Sequence, residues 1–237
     1  MSQAISDIQT HVRTWQQVAS AIDHTLFKPD ADHHQIAKLA EDAVSFGFAA
    51  VCVNPCWIAL VASILRGTPV KVATTIAFPL GANQANVKRF EAIEAIRTGA
   101  QELDMVMNIG ALKSGNRILV QNELDTLAEV AHDAGAILKV ILETSLLSLE
   151  EKILGCQLSL AAKADFVKTG TGFAGSATVE DVALLRGVVG DQAGVKASGG
   201  IRTALTANAM LDAGADRIGA STSLAIMRDL GAPERSI

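Results

Sequence analysis

No basic run occurs anywhere in the 237 residues, and the formal net charge is −5. A nucleic-acid surface needs clustered Lys and Arg to neutralise phosphates, so that class of partner is not expected. No apolar stretch approaches the roughly 18 residues of a membrane span. The opening MSQAISDIQTHVRTW lacks the charged-then-apolar build of a signal peptide. A cytoplasmic protein without a membrane partner is the expectation. Cysteine is sparse: Cys52, Cys56 and Cys156 are an odd set inside apolar segments, which reads as reduced thiols rather than a disulfide framework. The histidines, His11, His24, His33, His34 and His132, are scattered without ligand spacing, so no metal and no other cofactor is expected. The first apolar segment, AIDHTLFKP, carries no Gly-rich loop, which weighs against a doubly wound dinucleotide-binding sheet.

What the chain does have is a large core. Hydrophobic residues make up 49% of it against 19% charged, enough to bury a parallel sheet on both faces. Short runs rich in Val and Ile alternate with stretches of helical period, the pattern of repeated βαβ units. Eight strands are predicted, at 21–24, 49–54, 70–76, 102–108, 137–143, 165–169, 194–198 and 217–220. Helices are predicted to begin near His33, Cys56, Gln84, Asn116, Leu149, Val179, Thr203 and Thr222, with one more before the first strand. The segments GAQELDMV, KADFVKTG and GADRIGAS repeat one unit of helix end, tight turn and buried strand. The expectation is a single (β/α)8 TIM barrel over 1–237, with an extra N-terminal helix.

Strands buried on both faces should be almost wholly apolar, yet LKVILE, FVKTG and VKASGG carry Lys139, Lys168 and Lys196 on three consecutive strands. One lysine near a strand end would be read as snorkelling into solvent, as Lys71 is at the opposite rim. Three on adjacent strands point to function, because buried charge is costly. Strand four adds an acid, Asp104, amid apolar neighbours. Two ammonium groups about 5 Å apart repel by roughly 3 kcal/mol at an effective dielectric of ~20, enough with desolvation to free one amine as a nucleophile. The carboxylate and a further lysine can then move protons.

An anion site is predicted where strands seven and eight end, in Ser198-Gly199-Gly200 and in Gly219-Ala220-Ser221-Thr222, which runs straight into a helix. Glycine there is also ordinary turn chemistry, and Ser221 an ordinary cap; the position after strand seven is what raises the signal.

The segments IDHTLFKP, VCVNP, TTIAFPLG, ELDMVMNIGALKSG, KVILET, FVKTGTGF, VKASGGIRT and DRIGAS, in this order, resemble the 2-deoxyribose-5-phosphate aldolase family over nearly the whole length. The resemblance implies a class I aldolase on a (β/α)8 fold. Such an enzyme reversibly cleaves 2-deoxy-D-ribose 5-phosphate into acetaldehyde and D-glyceraldehyde 3-phosphate in deoxynucleoside catabolism, with a small phosphorylated sugar as substrate and a homodimer as the expected assembly. By resemblance, Lys168 is the Schiff-base lysine, Lys196 the lysine that depresses its pKa, and Asp104 with Lys139 the proton relay. Gly199, Gly200, Ser221 and Thr222 would contact phosphate, and Asp23, Thr25, Cys52 and Thr171 would lie near the substrate. Three positions depart from the pattern: Gly170 stands where many members have Ser, Phe173 where some carry a phosphate-binding lysine, and the tail GAPERSI offers no counterpart to a C-terminal tyrosine that some members use. A metal-dependent aldolase, a transaldolase-like enzyme and a non-catalytic phosphate-binding barrel are the rival readings.

Overall fold

A computed structural model of the chain describes residues 13–233; His11 and the last four residues of the GAPERSI tail lie outside the described residues. Eight parallel strands close into a barrel in sequence order: β1 (Ile22–Leu26), β2 (Ala50–Val53), β3 (Lys71–Ile76), β4 (Glu102–Val106), β5 (Ile137–Ile141), β6 (Phe166–Lys168), β7 (Gly194–Ser198) and β8 (Arg217–Ala220). Between them run α2 (His33–Phe46), α3 (Ile58–Leu65), α4 (Ala85–Thr98), α5 (Ile109–Lys113), α6 (Arg117–Asp133), α7 (Leu149–Ala161), α8 (Val179–Val189) and α9 (Ala204–Asp212). The short α1 (Trp15–Ala19) precedes β1, and α10 (Ser223–Asp229) follows β8. The TIM barrel with an additional N-terminal helix is therefore the observed fold.

Local chemistry sets most helix starts. Thr14, Asp32, Ser148 and Thr203 each cap a helix through a reciprocal box with the residue three positions on. The strands differ from expectation at their ends. β1 runs two residues later than predicted, because Thr25 and Leu26 pair with Cys52 and Val53 instead of opening the turn. β5 stops at Ile141 because Glu143 adopts a left-handed backbone, φ 59°, which cannot continue a strand. β4 ends at Val106, and the five residues of α5 form a helix that the sequence reading missed.

The main hydrophobic core lies between the sheet and the helices, where Val51, Leu103, Val140, Val167 and Ile218 point outward from their strands. The barrel interior is different. Among the described residues its apolar cluster is small, Ala50, Cys52 and Ala73 on β2 and β3, with Phe27 above. The wall between sheet and helices holds one buried ion pair: Lys88 of α4 is fully buried, with Nζ 2.7 Å from Glu123 of α6 and 2.9 Å from the Val106 carbonyl.

Candidate active site

Side chains alternate inward and outward along each strand, and the register puts the charged ones of six strands inside the barrel. Asp104 of β4 is the hub. Its Oδ1 accepts from Lys139 of β5 at 3.0 Å, while its Oδ2 accepts from both Lys168 of β6 and Lys196 of β7 at 2.6 Å. Asp23 of β1 accepts from Lys139 at 3.2 Å, is paired with Lys196, and receives the guanidinium of Arg217 of β8 at 2.7 Å. Glu102, one inward position below Asp104, pairs with Lys139 and lies 2.8 Å from Arg217. Lys139, Lys168, Lys196, Asp23, Asp104 and Glu102 are all nearly or wholly inaccessible to water.

Burial alone would neutralise these groups, so each protonation state depends on its neighbours. Desolvation works against the Asp104 carboxylate, but Lys139, Lys168 and Lys196 together hold its pKa well below the carboxylate range. Asp23 behaves likewise under Lys139, Lys196 and Arg217. Lys139 opposes desolvation with Asp104, Asp23 and Glu102 and is raised well above the usual lysine value; Lys196 is raised by Asp104 and Asp23. Lys168 moves the other way. Desolvation lowers it, Asp104 is its one carboxylate partner and is shared with two other cations, and the Lys196 charge lowers it further. Beside it Cys52 is fully buried, and desolvation pushes its thiol up to about 12, so it stays protonated.

A cavity of about 560 Å³ opens above Lys168 at the C-terminal rim of the barrel, where such folds carry their chemistry. Thr25, Lys28, Thr171, Phe173, Gly199, Ser221 and Thr222 are among its lining residues. Gly199 can line it because φ is 110° and an added Cβ would stand 2.9 Å from the Gly175 carbonyl oxygen. At Gly219 an added Cβ would reach Ser198 at 2.7 Å and Lys196 at 3.3 Å, so glycine there leaves the interior free for the lysine. The buried Thr222 hydroxyl finds no hydrogen-bond partner among the described residues. Thr171 donates its hydroxyl to the buried Glu143 carboxylate at 2.5 Å, which fixes its orientation at the rim.

Residues 17–229 match the description of the DeoC/LacD family aldolase. The chain belongs to the DeoC/LacD aldolase family. This aldolase is 53% identical to the deoxyribose-phosphate aldolase of Thermoanaerobacter sp. (strain X514) over 214 residues, 90% of this chain and 96% of that protein. It is 55% identical to the deoxyribose-phosphate aldolase of Streptococcus sanguinis over 208 residues, 87% and 94% of the two chains. Among solved structures, the deoxyribose phosphate aldolase from Aeropyrum pernix, described as tetrameric, superposes with a TM-score of 0.87 at 32% identity over 92% of each chain.

The structure of this aldolase brings Lys139, Lys168, Lys196 and Asp104 into one network, and Thr25, Thr171, Gly199, Ser221 and Thr222 onto one cavity. Gly200 is placed one residue behind the cavity wall, where its missing side chain makes room for Ser176. Asp23 and Cys52, expected near the substrate, lie beneath the cavity: both are fully buried and outside its lining, Asp23 one inward position below Thr25 on β1. Arg217 is engaged by Asp23 and Glu102 at the barrel floor. Sequence reasoning missed four residues. Glu102 and Arg217 share the inward parity of Asp104 and Lys196, the same signal that picked out the lysines. Glu143 ends KVILE as a charge in a buried strand, and Lys28 is the cation in the first loop after β1. Of the described histidines, His24 is bonded to Ser223 and His132 to Asp165, and His33 and His34 open α2. No described helix is long and apolar enough to cross a membrane.

Proposed function

We propose that this enzyme is a metal-independent class I deoxyribose-phosphate aldolase in which Lys168 forms the Schiff base. The observation that carries the reading is a buried lysine with a lowered pKa at the floor of an open cavity, bonded to a carboxylate whose other partners are two cations. The free amine attacks the aldehyde carbon of 2-deoxyribose 5-phosphate, and the carbinolamine loses water to give a protonated imine. The bond between C2 and C3 then breaks, its electron pair passing to the imine as an enamine while the C3 hydroxyl loses its proton and leaves as glyceraldehyde 3-phosphate. Protonation of the enamine carbon and hydrolysis release acetaldehyde and return the amine. Asp104 with Lys196 sits where it can take and return these protons, and Lys139 holds Asp104 from below.

The phosphate is read at the cavity mouth, between the Gly199 backbone, the hydroxyls of Ser221 and Thr222, and Lys28, with Gly200 shaping the turn from behind the wall. Lys28 is exposed, has no ion-pair partner among the described residues, and supplies the charge that Phe173 lacks. Phe173 packs edge-on against Phe78, which also meets Phe27, so the rim here is aromatic. The chain is read as one domain, cytoplasmic, with a homodimer as the assembly and a tetramer as the alternative outcome of light scattering.

The test is reductive trapping with cyanoborohydride and acetaldehyde, followed by peptide mapping. Label on Lys168 is expected. Label on Lys139 or Lys196 overturns the assignment, and no label with retained phosphate binding favours a non-catalytic phosphate-binding barrel.

A further inference from the structure

The network beneath the cavity holds four cations, Lys139, Lys168, Lys196 and Arg217, and three carboxylates, Asp23, Glu102 and Asp104. With every group ionised it carries one unit of surplus positive charge; with Lys168 as the free amine it carries none. A closed interior strongly penalises net charge, so the state with a neutral nucleophile is the one the enclosure favours. Arg217 and Glu102 touch neither Lys168 nor the cavity, yet they decide this balance. Arg217, its side chain 16% exposed, bridges Asp23 to Glu102 at 2.7 and 2.8 Å, on the opposite side of the lysines from the substrate opening.

We infer that Arg217 and Glu102 are positioning residues that set the protonation of Lys168 by fixing the net charge of the closed barrel interior. The other groups facing Lys168 leave that balance intact. Cys52 on β2 is a neutral thiol, and β3 presents Ala73 and Thr75 at inward positions, while Lys71, of the same parity, is exposed at the start of the strand and outside the enclosed network. Asp23, Asp104, Lys139 and Lys196 are the remaining charged groups on β1, β4, β5 and β7. Above β5, Glu143 is bonded to the amide and hydroxyl of Thr171. Lys28 stands at the cavity mouth in the loop after β1, outside the enclosed network.

The inference rests on Lys168 being the Schiff-base lysine, and the experiment separates the two. The rate of cyanoborohydride trapping by acetaldehyde is measured from pH 6 to 10 in the wild type and in R217M, R217K, E102Q and the double variant E102Q/R217M, with the labelled peptide mapped each time. Removing the guanidinium makes protonated Lys168 the balancing cation, so R217M shifts the acid limb up by about one pH unit, a tenfold slower trapping at fixed pH on that limb. E102Q shifts it down by a similar amount. The double variant restores the count and returns the profile to within a few tenths of a unit of wild type, and R217K, which keeps the charge, stays near wild type. If R217M fails to fold, E102Q decides: its limb must move down. Singles that lose rate without a shift, or a double variant that adds the two losses, overturn the inference. Wild-type label on another lysine overturns the reading of Lys168 itself.

Discussion

Replacing Lys196 by methionine keeps the length and apolar stem of the side chain and removes its charge. Lys168 and Lys196 both reach the same Asp104 oxygen at 2.6 Å. Their nitrogens therefore stand at most about 5 Å apart, and two unit charges at that distance repel by about 3 kcal/mol in an effective dielectric of ~20. That repulsion corresponds to roughly two pKa units at about 1.4 kcal/mol each. Burial and the Lys196 charge both lower the Lys168 pKa, so removing Lys196 raises it, and Asp104, left with one cation fewer, pulls it further the same way. The free-amine fraction below the pKa falls about tenfold per unit, so Lys196→Met should lose up to roughly 100-fold in kcat/KM on the acid limb and regain it as the pH rises. The assay is the pH dependence of kcat/KM, with cyanoborohydride trapping measured in parallel. A loss of the same factor at every pH, with the limb unmoved, would mean that Lys196 serves only to bind substrate or pass a proton, and the electrostatic account of Lys168 would be wrong.

Lys28→Met should raise KM for 2-deoxyribose 5-phosphate by roughly fivefold, the worth of one exposed charge contact of about 1 kcal/mol, and leave unphosphorylated 2-deoxyribose unaffected. Phe173→Lys should widen the preference for the phosphorylated sugar; a ratio untouched by both variants refutes this account of the phosphate pocket. In the barrel wall, Lys88→Met leaves Glu123 buried without its cation and should cost about 3–5 kcal/mol in urea unfolding. Lys88→Met/Glu123→Leu should recover most of that loss, and a double variant as unstable as the single would count against an uncompensated charge as the cause. His24 is buried and its pKa is lowered from 6.5 to about 4, chiefly by desolvation. Its contribution is complete above pH 6.5 and is lost as pH falls toward 4, when the unfolded chain takes up the proton first, amounting to about 3 kcal/mol across that window. His24→Asn should flatten the stability curve there, and an unchanged slope would assign the acid lability elsewhere.

The sequence made Lys139, Lys168, Lys196 and Asp104 visible because a charge inside a Val- and Ile-rich strand has no packing reason to be there. The same logic covered Arg217, but it opens its strand, and parity alone cannot separate a residue turned into the barrel floor from one reaching solvent, as Lys71 does. Lys88 was hidden for the opposite reason. Within QANVKRFEAIEAI it reads as part of a solvated helix face, and only the packing of α4 on α6 shows that Phe90 is exposed while the lysine is covered. The loop carrying Lys28 has no periodicity from which a side-chain direction could be read, and the five residues of α5 are too few to establish one.

Asp23 lies on the first strand and Arg217 on the last, and they join across the seam where β1 pairs with β8. The acids that balance the lysines come from β1 and β4, whereas the lysines come from β5, β6 and β7. Until the two ends of the chain meet, Lys168 has solvent on its open side and no enclosed network to unload its proton, so it remains an ordinary ammonium. In the proposed mechanism, nascent or partly unfolded copies therefore lack the lowered amine, and the nucleophile is armed only by the act of closing the ring.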